Sequence, residues 1–325
     1  MSVAAAGIVS LDHGEVHTGL MPALPNRKDV CAIAVTYHPG SDFVAQINRV
    51  LPQVGALLIV DNGSAGAEVE ILRRLAANPM ITLVLNGDNL GIARALNIGV
   101  ERALALGFSW ALLLDQDSVV DDDMVATLLA VHTGFPDRDR LAVVGAGFRD
   151  VSSKEPKPIT VGEDWIEVEC VITSGSLIPL KVHAAVGAFR DEFFIDCVDI
   201  EYCYRARAKG YRVIKTRATL MSHAIGAITR HKLLWLNKWT YNHSADRRYY
   251  MARNDTVLLR EYGHYVLGLW ALKSLSRCVR LCKRIALYEQ MKTRKMAAVA
   301  QGWWDGVRGR MGPRVRDAAT AKTAD

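Results

Sequence analysis

The segment FSWALLLDQDSVVDDDM, starting at Phe108, sets an uncharged run against the carboxylates Asp115, Asp117, Asp121, Asp122 and Asp123. An apolar run bounded by polar residues suits a strand buried on both faces of a sheet. In open α/β sheets, ligands sit beyond the carboxyl ends of such strands. On an extended backbone Asp115 and Asp117 project to one side. Converging carboxylates repel unless a proton or a cation neutralises them. Hard oxygen ligands suit Mg²⁺ or Mn²⁺, above all when substrate phosphates complete the coordination. The same residues also suit a turn and the cap of a following helix, and a lone Asp-x-Asp does not decide between the two.

The elements around this segment must place it on a rim. CAIAVTYHPG reads as a buried strand stopped by a Pro-Gly turn, FVAQINRVLPQ as a helix, and ALLIVDNGSAG as a second strand with a turn behind it. AEVEILRRLAAN is helical, ITLVLNGDN is a third strand, and LGIARALNIGVERALALG is a longer helix ended by Gly107. WALLLDQD is the fourth strand, and LAVVGAGF and CVITSGSLIPL add further ones. Strands that are nearly all apolar and alternate with helices predict an α/β fold with a mostly parallel sheet covered on both faces. Each strand end is polar: Thr36-Tyr37, Asp61 to Ser64, Asn86 to Asn89, Asp115 to Asp117. Turns need only Gly, Pro and Asn, so repeated carboxylates on one rim point to a polar, nucleotide-sized ligand with a metal. Neither a Walker loop nor a G-x-G-x-x-G after the first strand is present, which argues against P-loop nucleotidases and dinucleotide dehydrogenases.

Composition agrees with a folded chain. Half of the 325 residues are apolar and 23% are charged, which supports a sizeable core and excludes wholesale disorder. The net charge of +6 is uneven: residues 262–325 hold 13 Lys/Arg against 4 Asp/Glu, while the rest holds 27 against 30. The six cysteines form no CxxC pair or ligand-spaced set, so they read as reduced cytosolic thiols. The first residues, up to 28, mix Gly, His and Pro without periodicity and read as a loose leader without signal-peptide character. No uncharged run is long enough for a transmembrane helix.

In order along the chain, AVTYHPG, LLIVDNGS, NLGIARALNIG, LLLDQDS and FFIDCVDIEYCYRARAKGY resemble the inverting glycosyltransferases of family 2, which have the GT-A fold. The forms LLLDQDS, FIDCVDIEYCYRA, RRYYMARN and GWWDGVRGRMG are similar to rhamnosyltransferases that use dTDP-L-rhamnose, including those of rhamnolipid synthesis. The likeness runs roughly from Val30 to Gly312. It implies a GT-A domain over 29–260, with a donor-binding half to about 150 and an acceptor and catalytic half from 151. Residues 261–325 are then a basic, amphipathic, helical region.

The resemblance also implies roles. Thr36, Tyr37 and Asp61 match positions that hold nucleobase and ribose, with Asp61 accepting from the base N3–H; Asp-Asn-Gly-Ser is equally good Asx-turn chemistry. Asn89, Gly91 and Arg94 match the stretch that closes over the sugar-nucleotide, although Arg94 also suits a solvated helix face. Asp115 and Asp117 match the metal-binding pair, with Gln116 between them on the sugar-nucleotide. Val198 and Asp199 stand where the family usually has Glu-Asp, which makes Asp199 the general base. Asp196 and Glu201 are then left for sugar or acceptor hydroxyls, against a plainer reading as helix N-terminal charge. His223 in MSHAIG matches an imidazole supplied to the metal or diphosphate. Ser174 and Gly175 match a sugar- or acceptor-facing turn. Arg248, Arg253 and Asn254 suit a clamp on diphosphate or acceptor, or a purely structural helix.

The implied reaction is one in-line displacement, with rhamnose passing from dTDP-L-rhamnose to a glycolipid hydroxyl, most simply mono-rhamnolipid to di-rhamnolipid. O-antigen or exopolysaccharide assembly is the alternative. The stretch from His264 to Ala298 places Lys and Arg among apolar residues at near-helical spacing, as in helices that lie on anionic membrane surfaces. With a lipid-linked acceptor, this implies a cytoplasmic protein peripheral on the inner face of the bacterial membrane. A packed helix with a solvated basic face is the competing reading. No nucleic-acid-binding motif accompanies the charge. A non-catalytic sugar-nucleotide-binding module would not need the acids of FFIDCVDIEYCYR.

Overall fold

The computed structural model describes residues 25–150, 164–223, 228–233, 236–263 and 269–314, with the backbone alone at 150, 223, 228–233 and 236–241. The first half comprises β1 (Val30–Thr36), α1 (Phe43–Val50), β2 (Ala56–Asp61), α2 (Ala67–Leu75), β3 (Ile81–Leu85), α3 (Ile92–Ala105) and β4 (Trp110–Asp115). Then come β5 (Ser118–Val120), α4 (Met124–Gly134), β6 (Leu141–Asp150), β7 (Trp165–Glu167), β8 (Ser176–Pro179), α5 (Leu180–Val186) and α6 (Val198–Ala208). The chain continues through β9 (Arg212–His223), β10 (Ile228–Leu233), β11 (Leu236–Tyr241), α7 (Ala245–Tyr262), α8 (Leu269–Tyr288) and α9 (Lys292–Arg308).

The main sheet runs β3-β2-β1-β4-β8-β6-β9-β5, with β7 also on β9, while β10 and β11 form a separate hairpin. Strands β1 to β4, β6 and β9 share one direction; β5, β7 and β8 oppose it. This is a mixed, mostly parallel GT-A-type sheet. The apolar runs belong to strands covered on both faces. Ala32, Ala34, Leu57, Ile59, Leu112 and Leu114 pack with α1 and α4 on one side. Their neighbours Cys31, Ile33, Val35, Leu58, Val60 and Leu113 pack with α3, α5 and α6 on the other. Alternating side chains must both be apolar in such a strand. The stretch CVITSGSLIPL yields a strand only over its last part, β8, and that strand is antiparallel to β4. Its hydrophobicity marked burial but not direction.

Helices α8 and α9 fold back onto α7. The close approach of α9 depends on glycine: a Cβ at Gly302 would lie 2.2 Å from the Tyr249 carbonyl oxygen, and one at Gly306 would lie 2.7 Å from that of Arg253. Between them, Arg248 of α7, Lys295 of α9 and the intervening Glu289 form a buried ion cluster, with Lys295 Nζ donating to Glu289 Oε2 at 2.9 Å. All six cysteines are free. Among the described residues no helix is long and apolar enough to cross a membrane.

Candidate active site

The parallel strands β1, β2 and β4 end together, and a cleft of about 850 Å³ opens beyond them. One wall holds Thr36, Tyr37, Asn62, Asn89, Gly91, Asp115, Gln116 and Asp117. Asp115 is the last residue of β4, and Gln116 and Asp117 form the turn into β5. The two acids therefore reach the cleft through a turn and not through the pleat of one strand. Gln116 Oε1 accepts from the Tyr37 N–H at 2.8 Å, which ties the ends of β1 and β4 together. Asn86 donates to Asn62, and Asn62 to the Gly91 carbonyl, at 2.8 and 3.1 Å. That chain of amides joins the ends of β2 and β3 to the start of α3.

The opposite wall is the segment from Phe194 to Ile200, with Thr173 and with His243, Arg247, Met251 and Asp255 at and before α7. Phe194, Asp196 and Cys197 all have φ between 62° and 64°, a region that residues other than glycine rarely adopt. Each such residue costs on the order of 1–3 kcal/mol unless its surroundings fix it. Here they do. The Asn254 side-chain amide donates to the carbonyls of Phe193, Ile195 and Asp196 at 2.9, 2.9 and 2.8 Å. Arg253 donates to those of Glu192 and Phe193 at 2.8 and 3.1 Å. On the other side, the Ile92 N–H donates to the Phe194 carbonyl at 2.7 Å. Gly91 permits that approach, because a Cβ there would meet Phe194 at 2.6 Å and its φ is +84°.

Asp199, in the first turn of α6, accepts from the Thr173 N–H at 3.0 Å and the Ile200 N–H at 2.8 Å. Burial pushes its carboxyl upward, those backbone donors oppose the shift, and the charge of Asp196 adds to it. Burial likewise raises Asp196, while Arg247 acts against the shift, its guanidinium donating to Asp196 Oδ1 at 3.1 and 3.2 Å. Asp115 is pushed up to about 7, first by burial and then by the charges of Asp117 and Asp199, with Arg247 pulling it down. His243 is held down to about 4 by burial and then by Arg247, Arg248 and Lys295. The cleft thus gathers carboxylates that raise one another's proton affinity, which is the electrostatic setting in which a cation is welcome. Among the described residues no three metal-ligating side chains converge. Two carboxylates leave the remaining positions of an octahedral ion to phosphate and water, a set that suits Mg²⁺.

Several predicted contacts turn away from the cleft. Asp61 is buried behind Thr36, and its oxygens are taken by Thr36 Oγ1, Ser64 Oγ and the N–H groups of Gly63 and Ser64 at 2.5–3.1 Å, an Asx-type turn. Arg94 faces outward with Glu101 and Asp191, at 3.3 and 3.8 Å. Glu201 is fully buried and accepts from Arg205 Nε at 2.9 Å and the Tyr262 hydroxyl at 2.7 Å. Arg248 belongs to the Glu289 cluster and Arg253 to the carbonyl clamp, so neither is on the cleft wall. Ser174 Oγ accepts from the Asp115 N–H at 3.2 Å and lies 2.6 Å from Ser118 Oγ, supporting β4 from behind. Gly175 faces the core: a Cβ would lie 2.5 Å from Met221 Sδ. His223 ends β9 with its backbone paired to Ser118, next to Asp117; its side chain lies outside the described part. The sequence reading passed over Arg247, His243, Thr173 and Asp255. The helical period was the available signal, since Arg247, Met251 and Asp255 recur at every fourth position of α7 and all line the cleft.

With this geometry in view, comparison with known proteins is specific. Residues 35–160 match the family described as Glycosyl transferase family 2. The protein is a glycosyltransferase. A curated dTDP-rhamnosyl transferase, RfbF of Shigella flexneri, is 28% identical over 250 residues, covering 72% of this chain and 81% of that protein. The structure of S. aureus TarS 1-349 with UDP-GlcNAc superposes with a TM-score of 0.54 at 12% identity, covering 86% of this chain and 81% of that one. GalNAc-T7 with UDP, GalNAc and Mn²⁺ gives 0.54 at 11% identity, covering 87% of this chain and 55% of that one. The chain spans 44% of the longer chain in another S. aureus TarS structure. At such identities the two structural likenesses concern the fold, and the glycosyltransferase shares its GT-A-like sheet and helices with both.

Proposed function

We propose that this glycosyltransferase moves L-rhamnose from dTDP-L-rhamnose to a hydroxyl of a glycolipid, most simply converting a mono-rhamnolipid to a di-rhamnolipid, with inversion at the anomeric carbon. The observation that carries the reading is Asp199: it faces the same cleft as Asp115 and Asp117, and two backbone N–H groups fix its orientation. The similarity to RfbF supports the rhamnosyl donor.

In this mechanism the acceptor hydroxyl enters beside Asp199, which takes its proton as the oxygen attacks the anomeric carbon and the bond to the departing dTDP breaks. The raised proton affinity of Asp199 suits a base that must accept a proton in the transition state. Arg247 holds Asp196 in place beside it. Thr36, Tyr37, Gln116 and Asn89 line the donor wall. A divalent cation bound by Asp115 and Asp117 would supply Lewis-acid neutralisation of the leaving diphosphate. Helix α8 adds Lys273, Arg280 and Arg284 to a helix with exposed leucines, which supports residence on an anionic membrane surface.

Purified protein should transfer rhamnose from dTDP-L-rhamnose to mono-rhamnolipid far faster than glucose from UDP-glucose. EDTA should stop transfer, and Mg²⁺ or Mn²⁺ should restore it. Equal use of the two donors would sink the donor assignment, full turnover without metal would sink the cation assignment, and exclusive use of a polysaccharide primer would sink the glycolipid acceptor.

A further inference from the structure

A second cavity of about 520 Å³ lies between α8 and α9. Its walls are Leu275, Val279, Cys282, Met296, Val299 and Trp303, with Lys283 as the charged side chain at its edge. Trp303 is fixed by its indole N–H, which donates to Ser274 Oγ at 3.0 Å. Leu275 and Val279 are 41% and 46% exposed, so apolar surface is left open to solvent where a packed helix pair would close it. Ligand pockets of roughly 300–1,000 Å³ with apolar walls are the usual sites for small apolar groups.

The position of this groove says what it takes. Cys278 lines both it and the catalytic cleft, and its neighbours Arg277 and Leu281 line the cleft. From Cys278 the groove follows α8 to Ala286, roughly 12 Å along the helix axis. A ligand with its sugar hydroxyl at Asp199 can therefore continue past Cys278 into apolar surroundings without leaving the protein. We propose that the groove between α8 and α9 is the binding site for an aliphatic chain of the acceptor, with Lys283 at its edge to meet an anionic group of that ligand. This inference rests on the proposal that the acceptor is a glycolipid. It makes the C-terminal helices a part of acceptor recognition as well as a basic surface.

Calorimetric titration of the full chain with alkyl α-L-rhamnosides, from methyl to decyl and below micelle-forming concentrations, tests it. Affinity should rise about fourfold for each methylene that enters the groove. Ala300→Trp, which fills the groove, and Val279→Asp, which charges its wall, should each flatten that dependence while dTDP binds as in the wild type. A wild-type affinity independent of chain length would overturn the proposal, and so would an unchanged slope in both variants. Reduced flotation of both variants with anionic vesicles, without any chain-length slope, would make this face a membrane contact and overturn it as well. Binding is read without turnover, so a protein with the slope but no rhamnosyl transfer would remove the donor assignment and leave the groove standing.

Discussion

Asp199, in the first turn of α6, and Asp61, at the end of β2, are both acidic and have different jobs. Asp61 spends its lone pairs on Thr36, Gly63 and Ser64, so its carboxylate builds the turn behind the donor wall. Asp199 is held by two N–H groups at the cleft itself. Replacing Asp199 with Asn keeps its shape and removes the proton acceptor. General-base catalysis contributes about 10²–10⁴-fold in rate, so transfer should fall by that order while calorimetry finds dTDP binding near wild type. Unchanged turnover would shift the role to Asp196, and lost dTDP binding would place Asp199 in the donor site. Because burial raises its carboxyl, the acid limb of kcat/KM should sit above the ordinary Asp range of about 4 and vanish in the variant. Spacing at the end of an apolar run placed Asp115 and Asp117 on one rim, and the family resemblance added Asp199 to it. Neither could show which donors and acceptors neighbours had already taken, and that is what moved Asp61, Glu201, Arg248 and Arg253 off the wall.

At the level of elements, the site depends on a strained segment held from two sides. RRYYMARN reads as a source of phosphate-binding arginines, yet the residues that matter most to the fold are Arg253 and Asn254, which clamp the carbonyls before Asp199. The period of α7 distinguishes them: Arg247, Met251 and Asp255 face the cleft, while Arg253 and Asn254 are fully buried beneath it. What periodicity did not reveal is that Phe194, Asp196 and Cys197 carry positive φ values, since none of them is glycine. Asn254→Asp removes the amide donors and sets a carboxylate among three carbonyl oxygens. Buried donors lost in this way cost about 1–3 kcal/mol each, so thermal unfolding should shift down sharply, and kcat should fall more than dTDP affinity. A variant with wild-type melting and kcat would show that the clamp does not hold the loop. The strands were legible because burial on both faces leaves an unbroken apolar signature. The reversal at β8 was not, because hydrophobicity carries no direction.

Across the whole molecule, the sheet separates two apolar clusters, and each contains a histidine with a depressed proton affinity. His132 of α4 stands edge-on to Trp110 on one side, and His183 of α5 packs against Phe189 and Tyr202 on the other. Burial first, then Arg138 for His132 and Arg205 for His183, lowers both from 6.5 to about 4. The unfolded chain protonates these rings as pH falls below about 6.5, whereas the native state resists until about 4. Their contribution to stability is therefore complete above pH 6.5 and is lost as pH falls toward 4. The raised carboxyls of Asp115 and Asp199 act in the opposite sense, since the native state binds their protons first. Wild-type stability alone would mix the two effects, but a difference between variants separates them. His183→Gln does not titrate and can keep a hydrogen bond to the Tyr202 hydroxyl, now 3.1 Å from His183 Nδ1. Between pH 6.5 and 5, one such ring is worth about 1.6 kcal/mol. Urea unfolding should show the wild type losing about that much more than His183→Gln over this interval, with the difference constant above pH 7. Parallel pH profiles for the two proteins would mean that His183 protonates as readily in the core as in the unfolded chain, and that the core on that face opens to water.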